Sequence, residues 1–185
     1  ALAGHFLAFA LFFACSTMGM MNLPLLLLHD LGGSEREIGI AYAVAPVFEL
    51  PFMLYVGVLA TRVRHERLVL AALLIASAYY AGLAFTHAPE QVYVLQIASA
   101  AVVAVMSGVA ISFFQHFLPE QAGTATNLYS SASRLGSMIG YLTFGAVADG
   151  LGHRAVFLLS VGATLLSAAS VHAFQSQRQA PTSVA

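Results

Sequence analysis

The sequence has few charged side chains, and none of them is a lysine. Charged residues make up 8% of the 185 residues, whereas hydrophobic residues make up 59% and the mean hydropathy is +0.84. Soluble domains usually contain about 25% charged residues. The scarcity of charge therefore argues against a soluble domain and favours a membrane protein. The net charge of −1, without a basic stripe, also argues against nucleic acid as a partner.

Cysteine and metal-binding motifs are also scarce. Cys15 is the only cysteine, so an internal disulfide is excluded, and we expect it to act as a small hydrophobe. No two histidines have the His-Glu-x-x-His spacing of a metal site, and we expect no metal or other cofactor. No charged segment precedes the first apolar run, so we expect no signal peptide and interpret the start as that of a cut chain.

Six long apolar runs fill most of the sequence. A helix needs about 20 apolar residues to cross the bilayer core. We therefore predict an all-α membrane protein with a six-helix bundle over residues 1–174 and a disordered cytoplasmic tail over 175–185. Ser34 and Glu37 predict a capping box that opens the second span. The predicted spans are residues 2–28, 38–60, 68–85, 92–117, 124–148 and 155–174.

The arginines predict how the spans are oriented. Arg62, Arg64 and Arg67 lie in the joint after the second span, and Arg178 follows the sixth. Six spans place this joint and both termini on the same side of the membrane. The positive-inside rule assigns that side to the cytoplasm.

A short pattern recurs at the ends of two spans. Gly57–Ala60 ends the second span, and Gly145–Ala148 has the same order of Gly, two apolar residues and Ala near the end of the fifth. This spacing fits two inverted three-helix repeats, as found in transporters. The alternative is chance, since such patterns are common at the ends of membrane helices.

Only Glu49 and Arg134 place a charge deep inside the predicted spans. Such a charge costs about 2.5 kcal/mol or more on insertion scales, so it is usually retained for a function. Both residues lie near the middle of their spans, which makes a charge pair between them geometrically possible. We predict that Glu49 and Arg134 couple transport to proton movement. Structural pairing without proton traffic is the alternative.

Polar side chains at helical spacing predict a cavity. On the fifth span they recur three and four residues apart and therefore share one face of a helix. Such a face looks at water, a partner charge or a polar ligand, or it packs against another helix. The fourth span has a weaker polar line at Gln96, Ser99 and Ser107. The residues on the fifth span are Asn127, Ser130, Arg134, Ser137 and Tyr141.

Several motifs resemble those of a known family. Residues 57–67 resemble a degraded form of the loop motif Gly-x-Leu-Ala-Asp-Arg-x-Gly-Arg of the major facilitator superfamily, with Thr61 and Arg64 replacing its Asp and second Gly. Over about residues 11–157 the sequence more specifically resembles the bacterial sugar efflux transporter family. It matches only the C-terminal six helices of a twelve-helix transporter. The resembling stretches are Asn22-Leu23-Pro24, Phe48-Glu49-Leu50-Pro51, residues 114–119 and residues 122–128.

The resemblance implies a secondary active transporter in the bacterial inner membrane. It would export sugars such as lactose or a glucose-like compound by proton antiport and alternating access, with the cavity between two halves. The implied partners are the lipid bilayer, a small sugar, protons and the N-terminal six-helix half. The sequence departs from the family at Asn22 and His116, where acidic residues are frequent, so the resemblance implies no proton role for these two residues.

Seven residues are candidates for substrate binding, because amides, carboxylates, Arg and aromatic faces suit a hydroxylated ring. Asn22 equally suits a hydrogen bond to a neighbouring helix. Tyr42 lies seven residues before Glu49 on the same face and offers an aromatic surface, as does Tyr141. The seven candidates are Asn22, Tyr42, Glu49, Gln115, Asn127, Arg134 and Tyr141.

Three other interpretations compete with sugar export. A drug efflux transporter of the same superfamily would also use an embedded acid with aromatic neighbours, although its cavity would be more apolar. A non-transporting half-subunit fits the presence of only six spans. An intramembrane serine protease needs a Gly-x-Ser-Gly turn, but the nearest match begins with Val105, and His172 is too peripheral for a buried dyad. We therefore predict that the protein is not an enzyme.

Overall fold

A computed structural model describes the backbone of residues 2–179 and the side chains of residues 2–116 and 118–173. The described residues form helices joined by short turns, without strands. Because α4 and α5 follow one another directly and form one apolar segment, the described chain has six long helical segments at the positions of the six predicted spans. The helices are α1 (Leu2–Leu25), a π-helical continuation (Leu26–Asp30), α2 (Glu35–Ala60), α3 (His65–Phe85), α4 (Pro89–Gly108), α5 (Ala110–Phe117), α6 (Ala122–Leu151) and α7 (His153–Gln179).

Five of the six spans are long and apolar enough to cross a membrane, judged by length and composition. The exception is α6, which is the longest helix but includes the polar face and several glycines. Its 30 residues extend about 45 Å, which exceeds the thickness of a bilayer core. The all-α membrane fold predicted from the sequence is confirmed. The last helix extends to Gln179, and the remainder of the predicted tail, 180–185, lies outside the described residues.

The packing of the helices has the symmetry expected of an inverted repeat. The most extensive contacts pair α1 with α6, α2 with α4, α3 with α7, α1 with α7 and α3 with α4. Exchanging the first three spans with the last three converts the α1–α6 pair into α4–α2 and the α1–α7 pair into α4–α3. The α3–α7 pair maps onto itself. Since each unit has three spans, the second unit begins on the opposite side of the membrane from the first.

Local sequence explains where α2 begins. The Ser34 backbone N–H donates to Glu37 Oε2 at 2.6 Å, and the Ser34 hydroxyl donates to the same oxygen at 3.0 Å. The predicted capping box is therefore present. It starts α2 at one membrane surface and so fixes where Tyr42 and Glu49 lie along the helix.

Two glycines let α6 contact α1 closely. A Cβ atom added at Gly136 would lie 2.2 Å from the Ala10 carbonyl oxygen, and one at Gly140 would lie 2.6 Å from the Ala14 carbonyl oxygen. Small residues four positions apart permit this approach between membrane helices. The Thr17 hydroxyl also donates to Ser137 Oγ at 3.0 Å, so Ser137 is a packing contact of α6.

Two helices, α2 and α6, leave much of their surface exposed. Along α2 only Ala41 and Val56 are buried, and large apolar residues such as Leu54 are exposed. On α6, Met138 and Tyr141 are exposed as well. We call the exposed faces of α2 and α6 the open side.

Candidate functional site

A cavity of about 330 Å³ lies between α1, α2, α3 and α4. Small-molecule sites usually have volumes of about 300–1,000 Å³, so this cavity has room for a small ligand. Apolar side chains and the ring of Tyr80 complete its wall. Its polar lining consists of Ser16, Tyr42, Glu49, Tyr79, Gln96 and Ser99.

Prolines in α1 and α2 shape the wall of the cavity. Pro24 has no N–H, so the Met20 carbonyl four residues earlier lacks its usual helical donor. The Tyr42 hydroxyl of α2 donates to this carbonyl at 2.6 Å. The bond satisfies the carbonyl and ties α2 to α1. In α2, Pro46 removes the usual donor to the Tyr42 carbonyl in the same way, and both residues line the cavity.

A chain of hydrogen bonds crosses three helices behind the cavity. The Tyr79 hydroxyl of α3 donates to Gln96 Oε1 at 2.9 Å, and Gln96 Nε2 of α4 donates to the Ala41 carbonyl of α2 at 3.0 Å. Gln96 is only 3% exposed. These two bonds fix the orientation of a buried amide at the cavity wall.

Glu49 places a half-buried carboxylate in the cavity, near the middle of α2. Among the described residues, ion pairs join Arg64 to Glu66 and Arg154 to Asp30. The direct Glu49–Arg134 pair that the sequence leaves open is thus not formed in this conformation. Arg134 is instead exposed on α6 and does not line the cavity.

Of the seven candidate residues, the cavity brings together Tyr42 and Glu49. Asn22 is fully buried and contacts His153 of α7 twice. Asn22 Nδ2 donates to the His153 carbonyl at 2.7 Å, and Asn22 Oδ1 lies 2.9 Å from His153 Nδ1. From the sequence, Asn22 could bind either a sugar or a neighbouring helix. In the structure it bonds to the neighbouring helix α7.

The other four candidates lie away from the cavity. Gln115 on α5 donates to Thr126 Oγ1 at 3.4 Å, which is a long hydrogen bond. Asn127, Arg134 and Tyr141 are exposed on the open side of α6.

Sequence reasoning missed Tyr79 and gave Gln96 and Ser99 little weight. The signal for the latter two was their three-residue spacing on the fourth span, but that line continues to Ser107, which is exposed and does not line the cavity. For Tyr79 there was no comparable signal, because it adjoins Tyr80 in an apolar run. Only the packing of α3 against α4 brings its hydroxyl to Gln96.

Comparisons with known proteins agree on one family. The family model described as Major Facilitator Superfamily matches residues 6–184. The chain is 29% identical to sugar efflux transporter B of Salmonella typhimurium over 169 residues, which cover 90% of the chain and 43% of that protein. It is 29% identical to sugar efflux transporter A of Escherichia coli over 167 residues, covering 88% of the chain and 43% of the relative.

A third relative is the putative sugar efflux transporter of Deinococcus radiodurans. It is 33% identical over 159 residues, which cover 85% of the chain and 41% of the relative. The chain thus spans about two fifths of the length of the curated relatives that it matches.

Proposed function

Since the chain belongs to the Major Facilitator Superfamily, we propose that it is the C-terminal half of a secondary active transporter that exports sugars such as lactose or a glucose-like compound. The superfamily consists of transporters rather than enzymes. The relatives that the chain matches are named as sugar efflux transporters, which favours sugar efflux. The bacterial inner membrane is the proposed location, with both termini in the cytoplasm, because the arginine-rich joint after α2 lies on the same side as the termini.

The observation that carries the proposal is the chemistry of the cavity between α1, α2, α3 and α4. It combines a carboxylate at Glu49, a fixed amide at Gln96 and the rings of Tyr42, Tyr79 and Tyr80. Sugar hydroxyls bind carboxylates and amides, whereas the C–H face of a sugar ring packs on aromatic rings. A cavity with both kinds of group therefore suits a sugar better than a purely apolar ligand.

The open side of α2 and α6 supports a mechanism of alternating access. An Arg in the middle of a membrane helix is too costly to leave in lipid. In the proposed transporter the N-terminal half covers Arg134 and places it at a shared, water-filled cavity. Rocking of the two halves then exposes this shared cavity to each side of the membrane in turn.

Glu49 is the proposed proton carrier. Burial favours the neutral form of a carboxyl group, and a nearby cation favours the charged form. A carboxylate that exchanges between these environments takes up a proton on one side and releases it on the other. In this scheme Arg134 supplies the cation in one of the two states through a movement of its side chain within this half, since rocking alone leaves the two residues in the same half equally far apart.

The test is efflux from cells that express the complete reading frame. Labelled lactose and a labelled glucose analogue are loaded, and loss of label is followed at two external pH values in wild type, Glu49→Gln and Glu90→Gln. Glu90 is an exposed residue at the start of α4, outside the cavity, and serves as the matched control. We expect pH-dependent efflux in wild type and in the control, and its loss in Glu49→Gln. Efflux no faster than in empty cells would overturn sugar export, and wild-type coupling in Glu49→Gln would overturn the proton role.

One observation favours a second candidate, export of drugs or other small molecules. Three tyrosine rings line the cavity, and aromatic walls also bind apolar cations. A transporter of this type would move lipophilic cations such as ethidium in the same cells, without moving lactose. A non-transporting half-subunit would move neither.

A further inference from the structure

The pair formed by Tyr79 and Gln96 has no assigned role, although Gln96 is the most constrained polar group at the cavity. We propose that Gln96 is a specificity-determining residue, positioned by Tyr79 and Ala41, that recognises one hydroxyl group of the sugar ring. This inference rests on the proposed sugar export and deepens it by naming what the site selects.

The orientation of the amide follows from its two partners. The Ala41 carbonyl can only accept a hydrogen bond, so it must face the Gln96 NH2 group. Tyr79 then donates to the amide oxygen. A flipped amide could still donate to the Tyr79 hydroxyl, but its oxygen would then face the Ala41 carbonyl oxygen, and that contact would be lost. The side chain is therefore held in one orientation before any ligand binds.

The remaining hydrogen-bonding capacity of Gln96 matches a hydroxyl group. An amide has two N–H donors and two acceptor positions, and the two contacts use one of each. One N–H and one acceptor position remain on a side chain that lines the cavity. A sugar hydroxyl both donates and accepts, so a single hydroxyl can satisfy both. A ring without that hydroxyl leaves a buried amide unsatisfied, and we expect it to bind about tenfold more weakly.

The experiment uses the complete transporter, purified and reconstituted in proteoliposomes. Counterflow of labelled lactose and of labelled glucose is measured while unlabelled glucose, galactose and their monodeoxy analogues compete. Three variants are compared with wild type: Tyr79→Phe, Gln96→Leu and the control Tyr93→Phe. Tyr93 lies on α4 outside the cavity, so its substitution removes a hydroxyl group that the site does not use.

We expect wild type and Tyr93→Phe to reject one deoxy analogue about tenfold relative to its parent sugar. In Gln96→Leu that rejection disappears, because the parent sugar falls to the affinity of the deoxy analogue, while the other analogues keep their order. In Tyr79→Phe the rejection is reduced but not abolished, because Ala41 still orients the amide while the amide oxygen loses its contact with Tyr79. Tyr79→Phe removes one oxygen atom and so keeps the test valid if Gln96→Leu misfolds.

The alternative results separate the two proposals. Undiminished discrimination in Tyr79→Phe and in any folded Gln96→Leu protein overturns the role of Gln96 and leaves sugar export standing. A uniform loss for all analogues also overturns it, since that result indicates a purely structural contact. A wild-type protein that exchanges neither sugar overturns the export function, and the specificity role with it.

Discussion

At the scale of single residues, Tyr42 supplies a hydrogen-bond donor that the neighbouring helix α1 lacks. Pro24 leaves the Met20 carbonyl without its helical donor, and the Tyr42 hydroxyl fills that position at 2.6 Å. The same residue lines the cavity, so the contact that holds α2 to α1 also sets one wall of the site.

This contact predicts the effect of Tyr42→Phe. The substitution leaves the ring but removes the donor, and hydrogen bonds between membrane helices contribute about 0.6–2 kcal/mol. We expect the purified transporter to lose about 1 kcal/mol of stability, measured as a lower Tm. Tyr55→Phe, on the exposed face of the same helix, is the matched control and should leave the Tm unchanged.

A double-mutant cycle tests the cause. Pro24→Ala restores an N–H four residues after Met20, so that carbonyl no longer needs Tyr42. The cost of Tyr42→Phe should then shrink in the Pro24→Ala background. An equal cost in both backgrounds would contradict the assignment.

The candidate residues show what the sequence reveals at this scale. Glu49 could be identified because a charge inside an apolar run is costly and therefore conspicuous. Asn22 looks the same in sequence whether it binds a ligand or His153, since either partner satisfies a buried amide. Tyr79 could not be singled out, because its partner lies on another helix and depends on how the two helices are rotated.

At the scale of elements, the close contact between α1 and α6 depends on two positions of α6 that have no Cβ atom. Gly136 and Gly140 let the two backbones approach, and Ser137 bonds Thr17 between them. The polar face predicted for this span therefore has two functions: Ser137 packs against α1, whereas Arg134 is left on the open side.

Gly136→Ala should disrupt this contact. Its new Cβ would lie 2.2 Å from a backbone carbonyl oxygen, which cannot move aside as a side chain can. We expect a loss of about 1–3 kcal/mol, typical of overpacking, and a lower Tm of the purified transporter. Gly145→Ala on the same helix is the control, because open space surrounds that position and no loss is expected. Equal melting temperatures for the two variants would contradict the close approach.

The spans themselves were predictable from apolar run length, because lipid leaves a buried backbone no partners other than its own helix. The ends of the helices were harder to predict. The structure starts α2 at Glu35 rather than 38, because the capping box of Ser34 and Glu37 opens the helix before its apolar part. It ends α6 at Leu151 rather than 148, where Gly152 leaves the helix with a φ of +85°.

At the scale of the whole molecule, the open side exposes polar and apolar side chains that the rest of the described chain does not cover. Residues at intervals of three and four share a helix face, so Arg134, Met138 and Tyr141 look in one direction from α6. All three are exposed. A face with an Arg at this depth is too costly to face lipid, which favours coverage by a second half of a transporter.

Coverage of this face can be measured with spin labels. In the complete transporter, with other cysteines replaced, we expect a label at Met138→Cys to be poorly accessible to oxygen dissolved in the lipid. A label at Leu158→Cys should be readily accessible, since that residue has a similar exposure in this half, 49% against 53% for Met138, but lies on α7, which we expect the second half to leave uncovered. Equal and high accessibility at both positions would mean that α6 faces lipid. Arg134 would then have to reach a lipid headgroup or a second copy of the chain, and the half-subunit interpretation would replace the two-half transporter.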